Sequence, residues 1–257
     1  MPKWTPYRHA GEFAYTAASV RKNWPRLHLG DTEALPSDPR VLEAWALFHN
    51  GEFQQAAEAG VKAGDGGGTV ANKATAIYAT YLEPKEKTKL DLFMEVAARA
   101  EAQAKAEPDN PNAWYWHAYA LGRYSQGISV AKALAQGLGT KVKGALERTI
   151  KLAPQHADAC IALGAFHAEV IDKVVPLIGS MTYGAKKDVG LKLFQEALRL
   201  NPGSVIGMIE YANALLMLEG DKKMPEATKL YEQAAASQPM DATERLDVEL
   251  ARTELEN

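Results

Sequence analysis

Apolar and polar positions recur along most of this chain with a period near 3.6, the pattern of helices that bury one stripe and wet the other. In residues 189–200, Lys192, Gln195, Glu196 and Arg199 form a polar stripe, while Leu193, Phe194, Ala197, Leu198 and Leu200 take the remaining faces. Three such runs end alike. Residues 147–154 read ERTIKLAP, residues 195–202 read QEALRLNP, and residues 232–239 read EQAAASQP. Proline restricts the residue before it and cannot continue a helix, so each run predicts a helix and its stop. A second helical run follows Pro108, Pro154 and Pro202: residues 111–121 (PNAWYWHAYAL), 157–167 (ADACIALGAFH) and 205–215 (VIGMIEYANAL).

Helix, proline turn, helix is therefore a repeating unit, and the residue types at matching positions repeat with it. Trp114, Cys160 and Met208 come early in the first helix; His117, Leu163 and Tyr211 follow; Ala118, Gly164 and Ala212 stand beside them. In the second helix Leu146, Phe194 and Tyr231 are large, while Thr149, Ala197 and Ala234 are small. Small side chains let two antiparallel helices approach, large ones fill the groove that is left, and each pair needs a neighbour to cover its other apolar face.

These positions resemble the tetratricopeptide repeat (TPR), whose unit is about 34 residues long. The prolines here are spaced more widely, and the excess falls between the two helices of a pair, at residues 122–141, 168–189 and, briefly, 222–224. The resemblance implies an all-α fold: a TPR-like right-handed superhelical solenoid of antiparallel helix hairpins with long intra-hairpin inserts. Hairpins are expected at about 39–64, 69–107, 111–153, 157–201 and 205–238, with a capping helix at 241–255 because the last hairpin otherwise exposes apolar surface. Residues 37–257 then form the array. Residues 1–36 form an N-terminal extension, which Trp4, Trp24 and Leu27 dock onto the first hairpin. Residues 108–239 are also similar to the helical domain of the regulator of microtubule dynamics family and to bacterial repeat proteins with comparable inserts. The shared features are the Trp-Tyr-Trp-His-Ala helix, the insert before KGALERTIKLAP, and a second hairpin with its own insert.

Composition narrows the function classes. The chain has 257 residues, 47% of them hydrophobic, enough for a substantial core. Its formal charge of -3 offers no general attraction to a phosphate backbone, so nucleic acid is not an expected partner. A single cysteine, Cys160, rules out an internal disulfide and the multi-cysteine zinc patterns. No stretch reaches the length of a membrane span, and no uninterrupted apolar run follows the N-terminus, so membrane insertion is not expected and a cytoplasmic protein is.

Catalytic chemistry finds no purchase. The glycine run at 64–68 follows a helix and lacks a Gly-Lys-Ser/Thr sequel, so a linker is expected there instead of a phosphate nest. The histidines form no His-Glu-x-x-His pair, and no nucleophile elbow is present. The expectation is no catalytic residue, no metal and no cofactor: not an enzyme, but a protein- or peptide-binding adaptor or scaffold. The resemblance carries groove-lining positions onto Asn112, Tyr115 and Tyr119, onto Asp158, Ile161 and Ala165, and onto Ile206, Ile209 and Asn213. The open alternative for these tyrosines and isoleucines is packing between helices. Two further functional readings stand. A small-ligand binder would use a pocket lined by the inserts, with Arg123, Tyr124, Met181 and Tyr183 around it; the inserts otherwise pack on each other. An enzyme of unassigned type is the third.

Overall fold

The computed structural model describes residues 3–173 and 183–256. Among them all regular structure is helical, and within each unit most helices pack on the next in pairs. The chain divides into two compact units, the first made of Met1–His28, Glu33–Ser129 and Met240–Thr243, the second of Leu29–Thr32, Val130–Pro239 and Glu244–Asn257. The boundary after Ser129 falls inside the segment 111–153.

The first unit holds α1 (Ala17–Leu27), α2 (Pro39–His49), α3 (Phe53–Ala63), α4 (Gly68–Tyr81), α5 (Glu86–Ala106) and α6 (Pro111–Gln126). Local chemistry sets several of the starts. Thr16 and Ser19 form a reciprocal capping box on α1. Asp38 and Asn110 accept from the first free N–H groups of α2 and α6, each followed by proline at the first helical position, where no hydrogen bond is lost. Each helix packs on the next, and α4 also touches α2 and α6. That alternation is how stacked helical pairs share apolar surface.

The glycine run joins α3 to α4, and its last two glycines have a further role. Gly60 in α3 and Gly67 at the start of α4 meet backbone to backbone: a Cβ on Gly60 would lie 2.7 Å from the Gly67 carbonyl oxygen. A Cβ on Gly68 would lie 2.9 Å from the Gln103 side chain. The glycines are a close-approach site between helices, which sequence spacing alone does not distinguish from a flexible joint.

A polar seam joins α4 to α5. Arg99 donates to Asn72 Oδ1 (2.6 Å), the Ala71 carbonyl (3.0 Å) and Thr75 Oγ1 (3.0 Å), and pairs with Glu95 (3.0 Å). Gln103 continues it by accepting from Asn72 (3.1 Å) and donating to Thr69 (3.1 Å). Thr69, Asn72 and Thr75 are all buried, and each finds a partner in this seam.

The second unit holds α7 (Val130–Ala135), α8 (Leu138–Leu152), α9 (Ala157–Lys173), α10 (Lys187–Leu200), α11 (Val205–Glu219), a 3-10 turn (Gly220–Lys223), α12 (Met224–Ala235) and most of α13 (Ala242–Glu256). Its centre lies between α9, α10 and α11, where Phe194, fully buried, stacks on Tyr211 at 5.4 Å and 14°. Gly164 makes room for that ring, since a Cβ there would stand 2.8 Å from Phe194 Cε2. A second cluster joins Ile209 and Ala212 of α11, Tyr231 and Ala234 of α12, and Val248 and Ala251 of α13.

The inserts part ways. Within the first, α7 buries none of its residues, and Val130 and Leu134 are exposed. Of the second, α9 continues to Lys173 and the chain is described again from Tyr183. Tyr183 is buried against Phe166, Val170 and Ala185. Gly139 of the first insert lies under the Tyr183 ring, a Cβ there falling 2.7 Å from it, so the inserts meet at this point.

Candidate functional site

In the first unit the carried-over groove positions lie along α6. Asn112 is almost wholly buried, and its amide donates to Glu33 Oε2 at 2.6 Å. Tyr115 is buried beside Trp116 and Tyr119, with ring centroids at 5.0 and 6.1 Å. Tyr119 is half-buried and its hydroxyl meets Thr80 Oγ1 of α4 at 2.9 Å. One turn on, the Arg123 guanidinium covers the Tyr119 ring at 5.3 Å and donates to Gln126. Tyr124 is half-buried. His117 is held by the Ala97 carbonyl, 2.9 Å from its Nδ1, which fixes the proton on that nitrogen.

In the second unit the remaining positions lie on α9 and α11, which pack side by side. The Asp158 N–H donates to the Gly30 carbonyl at 3.1 Å, and the Asp158 carboxylate leaves no space for a Cβ on Gly30. Ile161 and Ile209 are core residues, buried in separate apolar clusters. Ile206 and Ala165 are half-buried and pack against the cluster that holds Ile161. Asn213 Oδ1 accepts from the Tyr231 hydroxyl, whose pKa burial pushes up to about 12. Ala165 and Asn213 also line one cleft with Ala168, Glu169, Glu210, Ala214 and Met217. The cleft is open to solvent and its volume is about 10 Å³, room for about one water molecule. The cleft is shallow and presents two carboxylates, an amide and a thioether.

Of the pocket residues named from sequence, Met181 lies outside the described residues. Tyr183 contributes to an apolar cluster. His167 is buried; its Nδ1 accepts from the Lys186 N–H at 3.1 Å, and burial, reinforced by Lys143, holds its pKa below the usual value. Glu33 and Gly30, which cover Asn112 and Asp158 respectively, were not among the residues that sequence reasoning singled out. The small-residue pattern that finds hairpins carries no information about a loop that folds onto them.

The Cys160 thiol is inert by location. Burial, followed by the nearby Glu196 and Asp158 charges, pushes its pKa from 9.0 up to about 11. The thiolate is the reactive form, so Cys160 is expected to resist a thiol reagent until the chain unfolds. The unfolded chain loses the thiol proton from about pH 9 while the native chain keeps it, so stability falls as pH rises from about 9 to 11, by about 1.4 kcal/mol per unit. Urea unfolding of wild type and Cys160→Ala from pH 8 to 10 tests this: the variant is expected to lose less stability over that window, and equal slopes would refute it.

Among the described residues no cluster of three or more His, Cys, Asp or Glu side chains is arranged to hold a metal ion, and no helix is long and apolar enough to cross a membrane.

The paired-helix architecture is shared with a solved structure, a thermophilic TPR protein of Thermus thermophilus, at a TM-score of 0.56 and 14% identity, over 83% of this chain and 97% of that one. Identity at that level speaks for the fold alone. No curated protein gives a match to the chain. The model of the family described as Regulator of microtubule dynamics protein 1-3 matches residues 53–256, extending on both sides of the motifs at 108–239, and the chain belongs to that family.

Proposed function

We propose that the protein is a non-catalytic, cytoplasmic adaptor that binds a protein or peptide and needs no cofactor. In this reading its hairpins at about 39–64, 69–107, 111–153, 157–201 and 205–238, capped at 241–255, form one right-handed superhelix. The observation that carries the proposal is the cleft between α9 and α11, the first helices of successive hairpins, where Ala165 and Asn213 come together with Glu169, Glu210 and exposed Met217. A shallow surface with a small floor and a mixed polar rim suits a side chain of a partner better than an enclosed small molecule. The likeness to a TPR protein and the family's description, which concerns microtubule dynamics, agree with a protein partner.

Of the groove positions in the second unit, Asp158, Ala165, Ile206 and Asn213 are the half-buried ones and supply the contact surface; in the first unit Tyr119 is the half-buried one. Asn112, Tyr115, Ile161 and Ile209 are buried and brace the helices that carry these positions. Placing a photo-crosslinking residue, p-benzoylphenylalanine, at Met217 in the full chain tests the assignment. A discrete crosslinked protein is expected in lysate, and Ala165→Arg, which fills the cleft floor, is expected to reduce it at least tenfold. Absence of any crosslinked protein, or a product that Ala165→Arg leaves unchanged, would overturn the proposal.

A further inference from the structure

The N-terminal arm, residues 3–16, has no helix or strand of its own, yet it is held by side chains of the first hairpin and α4 in the way a bound peptide is held. The Trp4 ring stacks on Tyr78 with centroids 4.1 Å apart and planes 14° from parallel. The Trp4 backbone N–H donates to Gln54 Oε1 at 2.9 Å, and the next backbone N–H, of Thr5, donates to the Tyr78 hydroxyl oxygen at 3.2 Å. That hydroxyl is itself oriented by donating to Glu83 at 2.8 Å.

Three residues after Trp4, Tyr7 is buried edge-on to Phe53 at 6.1 Å. The floor under Tyr7 is Gly51, with φ of 83°, where a Cβ would collide with the ring. Further along, Asn50 reads the backbone of Tyr15 from both sides: its Oδ1 accepts the Tyr15 N–H at 2.7 Å and its Nδ2 donates to the Tyr15 carbonyl at 2.9 Å.

Between these anchors Thr5, Pro6, Arg8, Ala10, Gly11, Glu12 and Ala14 are exposed. The arm therefore lies on the surface, fixed by two ring sites and by amide groups that recognise main chain and not side-chain identity. Recognition of backbone by Asn and Gln, with aromatic anchors giving selectivity, is the division of labour of a peptide site.

We propose that this face, formed by Asn50, Gly51, Phe53, Gln54 and Tyr78, is a peptide-binding site occupied in cis by residues 3–16. In trans it takes a peptide with two aromatic side chains three residues apart, followed, as in the arm, by a turn. It lies in the first unit and is independent of the α9–α11 cleft. A tethered arm competes at an effective concentration in the millimolar range, so the site admits an outside peptide only when the arm is weakened or displaced.

The probe is a fluorescein-labelled synthetic peptide with the sequence of residues 3–16. It is expected to bind the full-length Trp4→Ala/Tyr7→Ala variant at least ten times more tightly than wild type, by fluorescence anisotropy. Adding Asn50→Ala to that variant is expected to weaken binding at least tenfold, and a peptide lacking both aromatics is expected not to bind. Equal binding to wild type and variant, or no binding to a variant that keeps its helical circular dichroism, overturns the proposal. Should the double variant lose its helical signal, a protease site placed at the exposed Gly11 in an otherwise native arm decides the matter. Exchange of the cut segment for labelled peptide, with helicity intact, supports a ligand-like arm. Retention of the cut segment, or unfolding on cleavage, makes the arm a structural element and refutes the site.

Discussion

Phe194→Ala is expected to cost the fold about 3–5 kcal/mol, the largest loss of any single substitution considered, measured as a drop in the urea midpoint followed by helical circular dichroism. The ring is fully buried, lies flat on Tyr211, and fills the space that Gly164 leaves open between α9 and α10. Truncation removes the apolar transfer energy and leaves a cavity among the buried Cys160, Ile161, Tyr211 and Leu215 side chains, which relaxes only in part. The same geometry makes Gly164 and Phe194 energetically coupled. Gly164→Ala is expected to cost about 1–3 kcal/mol with the ring present, because neither helix can retreat, and to be neutral or mildly stabilising in the Phe194→Ala background, where alanine's better helix propensity is unopposed. Strict additivity of the two substitutions would show that the glycine and the ring do not share the site.

Arg99→Ala is the second large effect, expected at about 3 kcal/mol. The guanidinium is largely buried, and that burial lowers its pKa; it donates to three acceptors on α4, and Asn72 with its amide oxygen and Thr75 with its hydroxyl have no access to water. Removing the donor leaves the Asn72 amide oxygen desolvated and unpaired, and the Thr75 hydroxyl with only its bond to the Ala71 carbonyl, which costs more than the bonds contribute when made. Lysine has the charge but not the fork, so Arg99→Lys is expected to recover less than half of the loss. Replacing Arg99 and Asn72 together by leucine is expected to cost less than the sum of the two single changes, since an apolar pair leaves fewer unsatisfied partners. A sum that matches the double substitution would mean the seam contributes nothing as a unit.

What the chain discloses about itself divides along the range of the interaction. Proline turns, N-caps and the recurrence of a small residue beside a large one are local, and from them the helices between residues 108 and 239 are readable, with the pairing of α9 on α10 and of α11 on α12. Gly164 opposite Phe194 is that rule made concrete. The α4–α5 seam was not readable, because Arg99 sits in an alanine-rich helix where an arginine ordinarily snorkels into water; only the polar face of α4, formed by Thr69, Asn72 and Thr75, gives it a buried destination. The groove positions show a further limit. Family spacing gives the register of Asn112 on its helix but says nothing of Glu33, which arrives from 79 residues upstream and takes the amide. Trp4 was expected to dock on the first hairpin, but its platform, Tyr78, belongs to α4, and the amide reading of the arm by Asn50 and Gln54 leaves no trace in composition or period.

The first unit is not finished by its own contiguous stretch. Residues 240–243 belong to it: the Met240 carbonyl accepts the Tyr15 hydroxyl at 2.7 Å, and Asp241 meets His49 Nδ1 at 2.6 Å in a fully buried pair. A ribosome releases the amino end first. The histidine must therefore wait, through the synthesis of nearly two hundred residues, for the carboxylate that faces it, and the loop closed at that moment is a long one. Nascent protein halted short of residue 241 keeps this imidazole without its aspartate, so the contact that completes the first unit is timed by the emergence of a segment made 192 residues later.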